Sequence, residues 1–161
     1  YLPFEEFPSD VWASSIAVNL TGAFYCCREF GRQMVKQNKG VIVNIASTYG
    51  IVGADQRIYG KNKINSPISY AAAKAAIINM TRYLASYWHG KNIRVNTLSP
   101  GGVLDKKYQD KDFIKRYSEK TILGRMANKE EYNGAILFLL SDASSYMTGA
   151  NLVVDGGWTA W

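Results

Sequence analysis

Apolar and polar residues along the chain follow two periods, and each change of period marks an element. Val11, Trp12, Ile16, Leu20, Phe24 and Met34 form a loosely helical apolar set. This predicts a helix over 9–36, capped by Ser9 or Asp10 and stopped by Gly40. The β-branched run Val41-Ile42-Val43-Asn44-Ile45-Ala46-Ser47 predicts a short buried strand. Residues 48–67 read as a polar, Gly-containing loop ending in Ser66-Pro67. A second helix, rich in Ala at its start, runs from Ser69 to about Trp88 and closes near Gly90. Ile93 to Leu98 is a strand, ended by Pro100-Gly101-Gly102. Residues 105–128 are charged and read as mobile, with a helix at 110–119. Glu130 to Leu140 reads as helical, and Leu152-Val153-Val154 as a last strand before Asp155-Gly156-Gly157.

Helix and strand therefore alternate three times. That order predicts parallel strands joined by helical crossovers, an α/β layered sheet. A dinucleotide-binding sheet of this kind opens with a strand, a Gly-rich turn and a helix. Nothing before Ser9 supplies them, and the chain begins Tyr1-Leu2-Pro3 without an initiator Met. The expectation is a partial single domain over 1–161, a Rossmann-like doubly wound parallel sheet without its N-terminal nucleotide-binding half.

Composition narrows the function classes. The 161 residues are 47% hydrophobic and 20% charged, as in a folded chain rather than a disordered one. The net charge is +6, but its cations are scattered (Arg28, Arg32, Lys36, Lys39, then Lys106, Lys107, Lys111, Lys115, Arg116). No compact basic run interleaves with aromatics, which argues against nucleic acid. No apolar run is long enough for a membrane span, and no signal peptide is visible. Cys26 and Cys27 are adjacent in a helical stretch and point in different directions, so they are poorly placed to bridge. No metal-ligand spacing surrounds them. Structural thiols in a reducing, cytoplasmic compartment are expected. His89, near a helix C-terminus, could complement the dipole. Trp12, Trp88, Tyr83 and Tyr87 read as packing residues.

The candidate chemistry begins with Tyr70 and Lys74, four residues apart near the start of a helix and so on one face. A free tyrosine has a pKa of about 10 and is a poor acid or base at neutral pH. A cation beside it favours the phenolate, which can then exchange a proton with an alcohol or a developing alkoxide. Ser47 ends the preceding strand, where its hydroxyl could hold a substrate oxygen. Ala71-Ala72-Ala73 would let a ligand approach closely. By itself the pair reads more readily as a solvated Lys beside a half-buried Tyr, since helices carry such pairs often.

The pair does not stand alone. Asn44-Ile45-Ala46-Ser47, Ser69-Tyr70-Ala71-Ala72-Ala73-Lys74, Arg94-Val95-Asn96-Thr97-Leu98-Ser99-Pro100-Gly101-Gly102-Val103 and Leu123-Gly124-Arg125-Met126 follow in order. The chain continues with Phe138-Leu139-Leu140-Ser141-Asp142-Ala143-Ser144-Ser145-Tyr146-Met147-Thr148-Gly149 and Val153-Val154-Asp155-Gly156-Gly157. Over nearly its whole length the chain resembles the short-chain dehydrogenases/reductases. The resemblance implies an oxidoreductase that moves hydride between NAD or NADP and a small carbonyl or alcohol substrate. It implies Tyr70 as acid/base, and Lys74 as the residue that favours its phenolate and bonds the nicotinamide ribose. It implies Ser47 as the substrate-oxygen ligand, and Asn19 as the holder of a water that links Lys74 to solvent. Pro100, Gly101, Gly102 and Val103 match the turn whose backbone meets the nicotinamide amide, although the same residues also read as a plain strand-ending turn. The family's helices beginning near Ser9 and Ser69, and its last strand, make subunit contacts, which implies a homotetramer.

Two departures qualify the match. The family commonly has a threonine where Asp105 stands, so a contact to the cofactor's amide or phosphate is expected to be lost or replaced. The loop from Ser47 to Tyr70 is long and carries Asp55, Gln56, Arg57, Tyr59, Lys61, Asn62, Lys63 and Asn65. It reads either as a wall for a polar substrate, a sugar or sugar phosphate, or as a tolerated surface insertion. With the closing Asp155-Gly156-Gly157-Trp158-Thr159-Ala160-Trp161, it resembles bacterial members of surface-sugar or flagellin-glycan pathways. A 3-oxoacyl thioester is another substrate that the shared motifs allow. The alternative function is a non-catalytic half-domain or assembly module that needs a partner chain. This chain by itself is expected to bind NAD(P) weakly, because the helix N-terminus that holds a pyrophosphate is not among its motifs.

Overall fold

The computed structural model describes residues 3–60 and 65–161. Tyr1 and Leu2, and Lys61, Asn62 and Lys63 of the loop, lie outside the described residues. Three parallel strands, β1 (Gly40–Ile45), β2 (Ile93–Pro100) and β3 (Asn151–Val154), lie in the order β1-β2-β3. Gly40 pairs with Ile93 and Ile45 with Leu98; Thr97 pairs with Asn151 and Pro100 with Val154. The α/β parallel sheet expected from the alternation is present.

The central strand is buried on both faces because its side chains alternate between two helical layers. Val95, with Ile93 and Ile42, packs under Trp88, Leu84, Met34 and Val35 of the first layer. Leu98, with Val43 and Leu152, packs under Leu139, Ile136 and Tyr132 of the second. The first layer is built from α1 (Ser9–Ile16), α2 (Gly22–Gln37) and α3 (Ile68–Tyr87). The second is α5 (Asn133–Leu140), and α4 (Lys111–Glu119) stands near the carboxyl ends of the strands.

Several boundaries differ from the sequence pattern. The first helix is interrupted: α1 and α2 are joined by a π turn at Ala17–Thr21, which slips the apolar face and explains its loose periodicity. Its N-cap is Pro8, with no side-chain cap, rather than Ser9 or Asp10. It ends at Asn38, whose φ of 50° is tolerated by a short polar side chain, and Gly40 belongs to β1. The 48–67 loop contains 3-10 turns at Thr48–Gly50 and Gln56–Tyr59, and it buries Ile58. Ser47 lies just beyond β1, and β2 extends to Pro100. Lys129–Tyr132 is a 3-10 turn that leads into α5, not part of it.

The charged 105–128 segment is packed rather than loose. Asp110 caps α4 by accepting the Phe113 N–H at 2.7 Å, and Tyr117 and Met126 enter a core with Ile58 and Trp158. Arg94 anchors the far end of α5, donating to Leu139 O at 3.2 Å and Ser141 O at 3.0 Å, where helix carbonyls lack partners. Asn96 sets the start of β3 through Met147 O at 2.7 Å and the Ala150 N–H at 3.0 Å. Cys26 is exposed and Cys27 buried, and both are free thiols. Burial pushes the Cys27 thiol up, and its Sγ lies 3.4 Å from Asn44 Oδ1. Among the described residues no helix is long and apolar enough to cross a membrane.

The packing reading holds for Trp88 but not for the other aromatics. Trp12 is exposed, and Tyr83 and Tyr87 are 65% and 68% exposed, stacked on each other with centroids 5.9 Å apart. They flank a groove of about 720 Å³ between α2 and α3.

Candidate active site

The carboxyl ends of all three strands point the same way, so the chain leaves each strand at one edge of the sheet. In open α/β sheets ligands bind at that edge. Ser47 stands just past β1, buried, with extended backbone at φ −166°. Its Oγ accepts the Tyr49 N–H at 3.2 Å and so caps the Thr48–Gly50 turn. That turn sits directly on the backbone of α3: a Cβ at Gly50 would lie 2.7 Å from Lys74 C and 2.8 Å from Lys74 O. The contact fixes Ser47 against the helix that carries Tyr70.

Pro67 starts α3, which places Tyr70 in the first turn and Lys74 one turn on. Lys74 Nζ lies 5.6 Å from the Tyr70 ring centroid and donates to Ile45 O at 3.0 Å. Burial lowers the Lys74 pKa from its ordinary value. The small residues between them serve the protein rather than a ligand at one position: Ala73 is fully buried.

The Pro100–Val103 turn is braced from several sides. Gly101 N–H donates to Val154 O at 2.9 Å, and Gly101 O accepts the Tyr132 hydroxyl at 3.0 Å. Gly102 N–H donates to the Tyr117 hydroxyl at 2.5 Å, and Gln109 Nε2 donates to Val103 O at 2.9 Å. Asp105, at the position of the family's threonine, turns its carboxylate to its own loop and accepts the Lys107 N–H at 2.9 Å.

These pieces meet. Ser47, Tyr70, Pro100, Gly101, Gly102 and Val103 line one cleft of about 350 Å³. Its remaining wall is largely aromatic: Tyr49, Tyr59, Phe113 and Tyr117. Lys74 is not part of the cleft wall, and its Nζ lies beside the Tyr70 ring. Asn19 lies at the centre of the π turn, which packs on α3, and its Nδ2 donates to Ser15 O at 3.0 Å. It is not part of the cleft wall.

The polar loop is tied to itself and to the residue after α4. Asp55 Oδ1 accepts from Arg57 Nε at 2.8 Å, and Asp55 Oδ2 pairs with Lys120 Nζ at 2.6 Å, just past α4. The Arg57 hydrogen bond, then that of Lys120, hold the Asp55 carboxyl far below the usual range. Of the polar residues of this loop, Tyr59 lines the cleft, and Asp55 and Arg57 do not. Burial raises the Tyr49 phenol, and burial pushes Tyr117 up to about 12, so both remain protonated donors. The sequence reading passed over Tyr117, Gly50 and Gln109. Only the second glycine of Pro100-Gly101-Gly102 signalled a close approach there.

Comparison with known proteins agrees with this geometry. The family described as enoyl-(acyl carrier protein) reductase matches residues 2–159. A galactitol 2-dehydrogenase (L-tagatose-forming) of Cereibacter sphaeroides is 39% identical over 97% of this chain and 60% of its own. A short-chain dehydrogenase of Leptospira borgpetersenii, solved with bound NAD+, superposes with a TM-score of 0.91 at 43% identity, over 99% of this chain and 60% of that one. A gluconate 5-dehydrogenase of Burkholderia cenocepacia, solved with NADP and tartrate, gives 0.88 at 29% identity, with 99% and 60% covered. The chain thus spans about 60% of the length of the curated relative it matches.

Proposed function

The chain belongs to the short-chain dehydrogenase/reductase family, and we propose that the protein moves hydride between NAD or NADP and an alcohol or carbonyl carbon of a polyhydroxylated substrate. The observation that carries this reading is the convergence of Ser47, Tyr70 and the Pro100–Val103 turn on one cleft, with Lys74 beside the Tyr70 ring.

The residues present fit a nicotinamide nucleotide. Among the described residues the Val103 N–H meets no protein acceptor, although its neighbours on both sides are bonded. It is a free donor for a carboxamide oxygen. Lys74 spends one proton on Ile45 O, which leaves two for ribose hydroxyls. When bound, NAD(P) supplies the hydride acceptor or donor.

The protein's own groups manage the proton. In oxidation Tyr70 Oη takes the proton of the substrate hydroxyl, and in reduction it returns that proton to the forming alkoxide. Lys74, whose Nζ lies 5.6 Å from the Tyr70 ring centroid, is the cation that stands beside this phenol. Ser47 Oγ holds the substrate oxygen where negative charge develops. Asn19 holds a water that connects Lys74 to solvent.

A sugar alcohol or sugar acid is the substrate class we adopt. The relatives named above act on such compounds, and the phenol-rich cleft offers donors and acceptors to several hydroxyls. It is preferred to a surface-sugar precursor or a 3-oxoacyl thioester. We further propose a cytoplasmic homotetramer, with the exposed Tyr83 and Tyr87 on α3 covered by another subunit.

The test is a coupled assay of turnover and cofactor binding with sugar alcohols and both nucleotides. Tyr70→Phe is expected to lower kcat/KM by about 10²-fold or more while cofactor Kd stays nearly constant. Lys74→Met is expected to weaken both. Normal turnover in Tyr70→Phe would sink the assignment. Absence of any nucleotide binding by the unaltered protein would favour the non-catalytic module instead.

A further inference from the structure

We propose that Tyr117 is a positioning residue for the Pro100–Val103 turn, fixing the Gly102 amide so that the free Val103 N–H is held still at the cleft. The inference rests on the reading of that turn as the cofactor-contact turn.

Tyr117 belongs to α4, outside the Ser47-Tyr70-Lys74 set, yet its hydroxyl is the acceptor of the Gly102 N–H at 2.5 Å. The fit is two-sided. A Cβ at Gly102 would lie 2.5 Å from Tyr117 Cζ and 2.8 Å from its Oη, so the second glycine is what admits the phenol. A part-buried backbone N–H is best left with an acceptor, and the phenol oxygen is the one provided.

The ring itself is held on its far side. It stacks on Trp158 with centroids 4.3 Å apart and an interplanar angle of 26°. Trp158 is fixed in turn by the Asp155 carboxylate, which accepts the N–H groups of Gly157 and Thr159, each at 2.9 Å. Phe113, one helical turn before Tyr117, lines the cleft and meets Tyr59 of the opposite rim at 5.5 Å between centroids. One helix therefore carries both a piece of the substrate wall and the acceptor that locates the turn. Movement of that wall is passed to Gly102 through a single hydrogen bond.

Tyr117→Phe keeps the ring and the stacking and removes the hydroxyl that accepts the Gly102 N–H. In the protein without nucleotide, amide hydrogen exchange of the segment 98–105 is expected to quicken about tenfold, with the rest of the core unchanged. NAD(P) Kd, read by fluorescence titration, should rise several-fold. Substrate kcat should fall by about tenfold to a hundredfold, since the turn is misplaced. Unchanged exchange at 98–105 together with unchanged Kd, in a variant that melts normally, overturns the proposal. Uniformly faster exchange across the whole core would show Tyr117 to be general packing, and also overturns it. Because the exchange measurement needs no cofactor, it decides this inference even if the protein proves to bind no nucleotide and the functional reading fails.

Discussion

Gly50→Ala is the most searching single change for the active-site geometry. A Cβ there would lie 2.7, 2.8 and 2.9 Å from Lys74 C, Lys74 O and Ala75 N. Ordinary contact begins at 3.4 Å, so the closest of these needs about 0.7 Å of relief. All three obstacles are helix backbone, which cannot rotate away as a flexible side chain would. The Thr48–Gly50 turn must therefore lift from α3, and Ser47, which caps that turn, moves with it away from Tyr70. Overpacking of this kind costs about 1–3 kcal/mol of stability. The catalytic cost is of similar size, because a shift near 1 Å between reacting groups lowers rate by about 10²-fold. The assay pairs a thermal melt with kcat, KM and cofactor Kd. The expected result is a lower melting temperature, kcat down by one to two orders of magnitude, and cofactor Kd within about twofold, since Lys74 and the Pro100–Val103 turn are not displaced. Wild-type kcat in a normally folded Gly50→Ala protein would refute the claim that this close approach sets the Ser47–Tyr70 geometry.

Two further predictions concern stability. A Cβ at Gly134, in the first turn of α5, meets nothing within 4 Å, so Gly134→Ala should raise stability by about 0.5–1 kcal/mol in a denaturant titration. Glu131 pairs with Arg125 at 2.6 Å and accepts the Asn128 N–H, and first the Arg125 hydrogen bond and then that N–H lower its pKa from 4.5 to about 2. A carboxylate depressed on folding stabilises the fold above its unfolded pKa and loses that contribution as pH falls through the folded one. The melting temperature should therefore drop between about pH 4.5 and 2, and Glu131→Gln should be less stable at neutral pH with a shallower drop in that window; parallel curves for the two proteins would contradict the pairing.

What the sequence disclosed about the site is what local spacing can encode. Tyr70 and Lys74 share a face because they are one helical turn apart, and Ser47 stands at the strand edge because a short strand ends there. Asp110 was within a readable helix start, and its cap is formed. The parts that stayed hidden depend on contacts distant in sequence. Tyr117 meets Gly102 fifteen residues away and Trp158 forty-one away, and no periodicity reports either partner. Gly50 resembled any loop glycine until α3 was seen against it. Tyr83 and Tyr87 looked like core because aromatic residues usually are, but both are largely exposed on α3. The helix stop was misplaced by two residues because Asn38 took the left-handed position that glycine more often fills.

The π turn at Ala17–Thr21 has a consequence for how this helix tolerates changes in length. A π turn holds one residue more than an α-helical turn over the same span. Loss of one residue there would leave an uninterrupted α-helix, so folding alone would not penalise it. Every residue before the deletion would nonetheless swing by about 100° about the axis and advance about 1.5 Å relative to those after it. Ser9–Ile16 packs on α3 from one side of that slip and Gly22–Gln37 packs under β1 from the other. The extra residue therefore works as a phase adjuster between two docking faces, and a deletion that improves the helix would misalign the layers it joins.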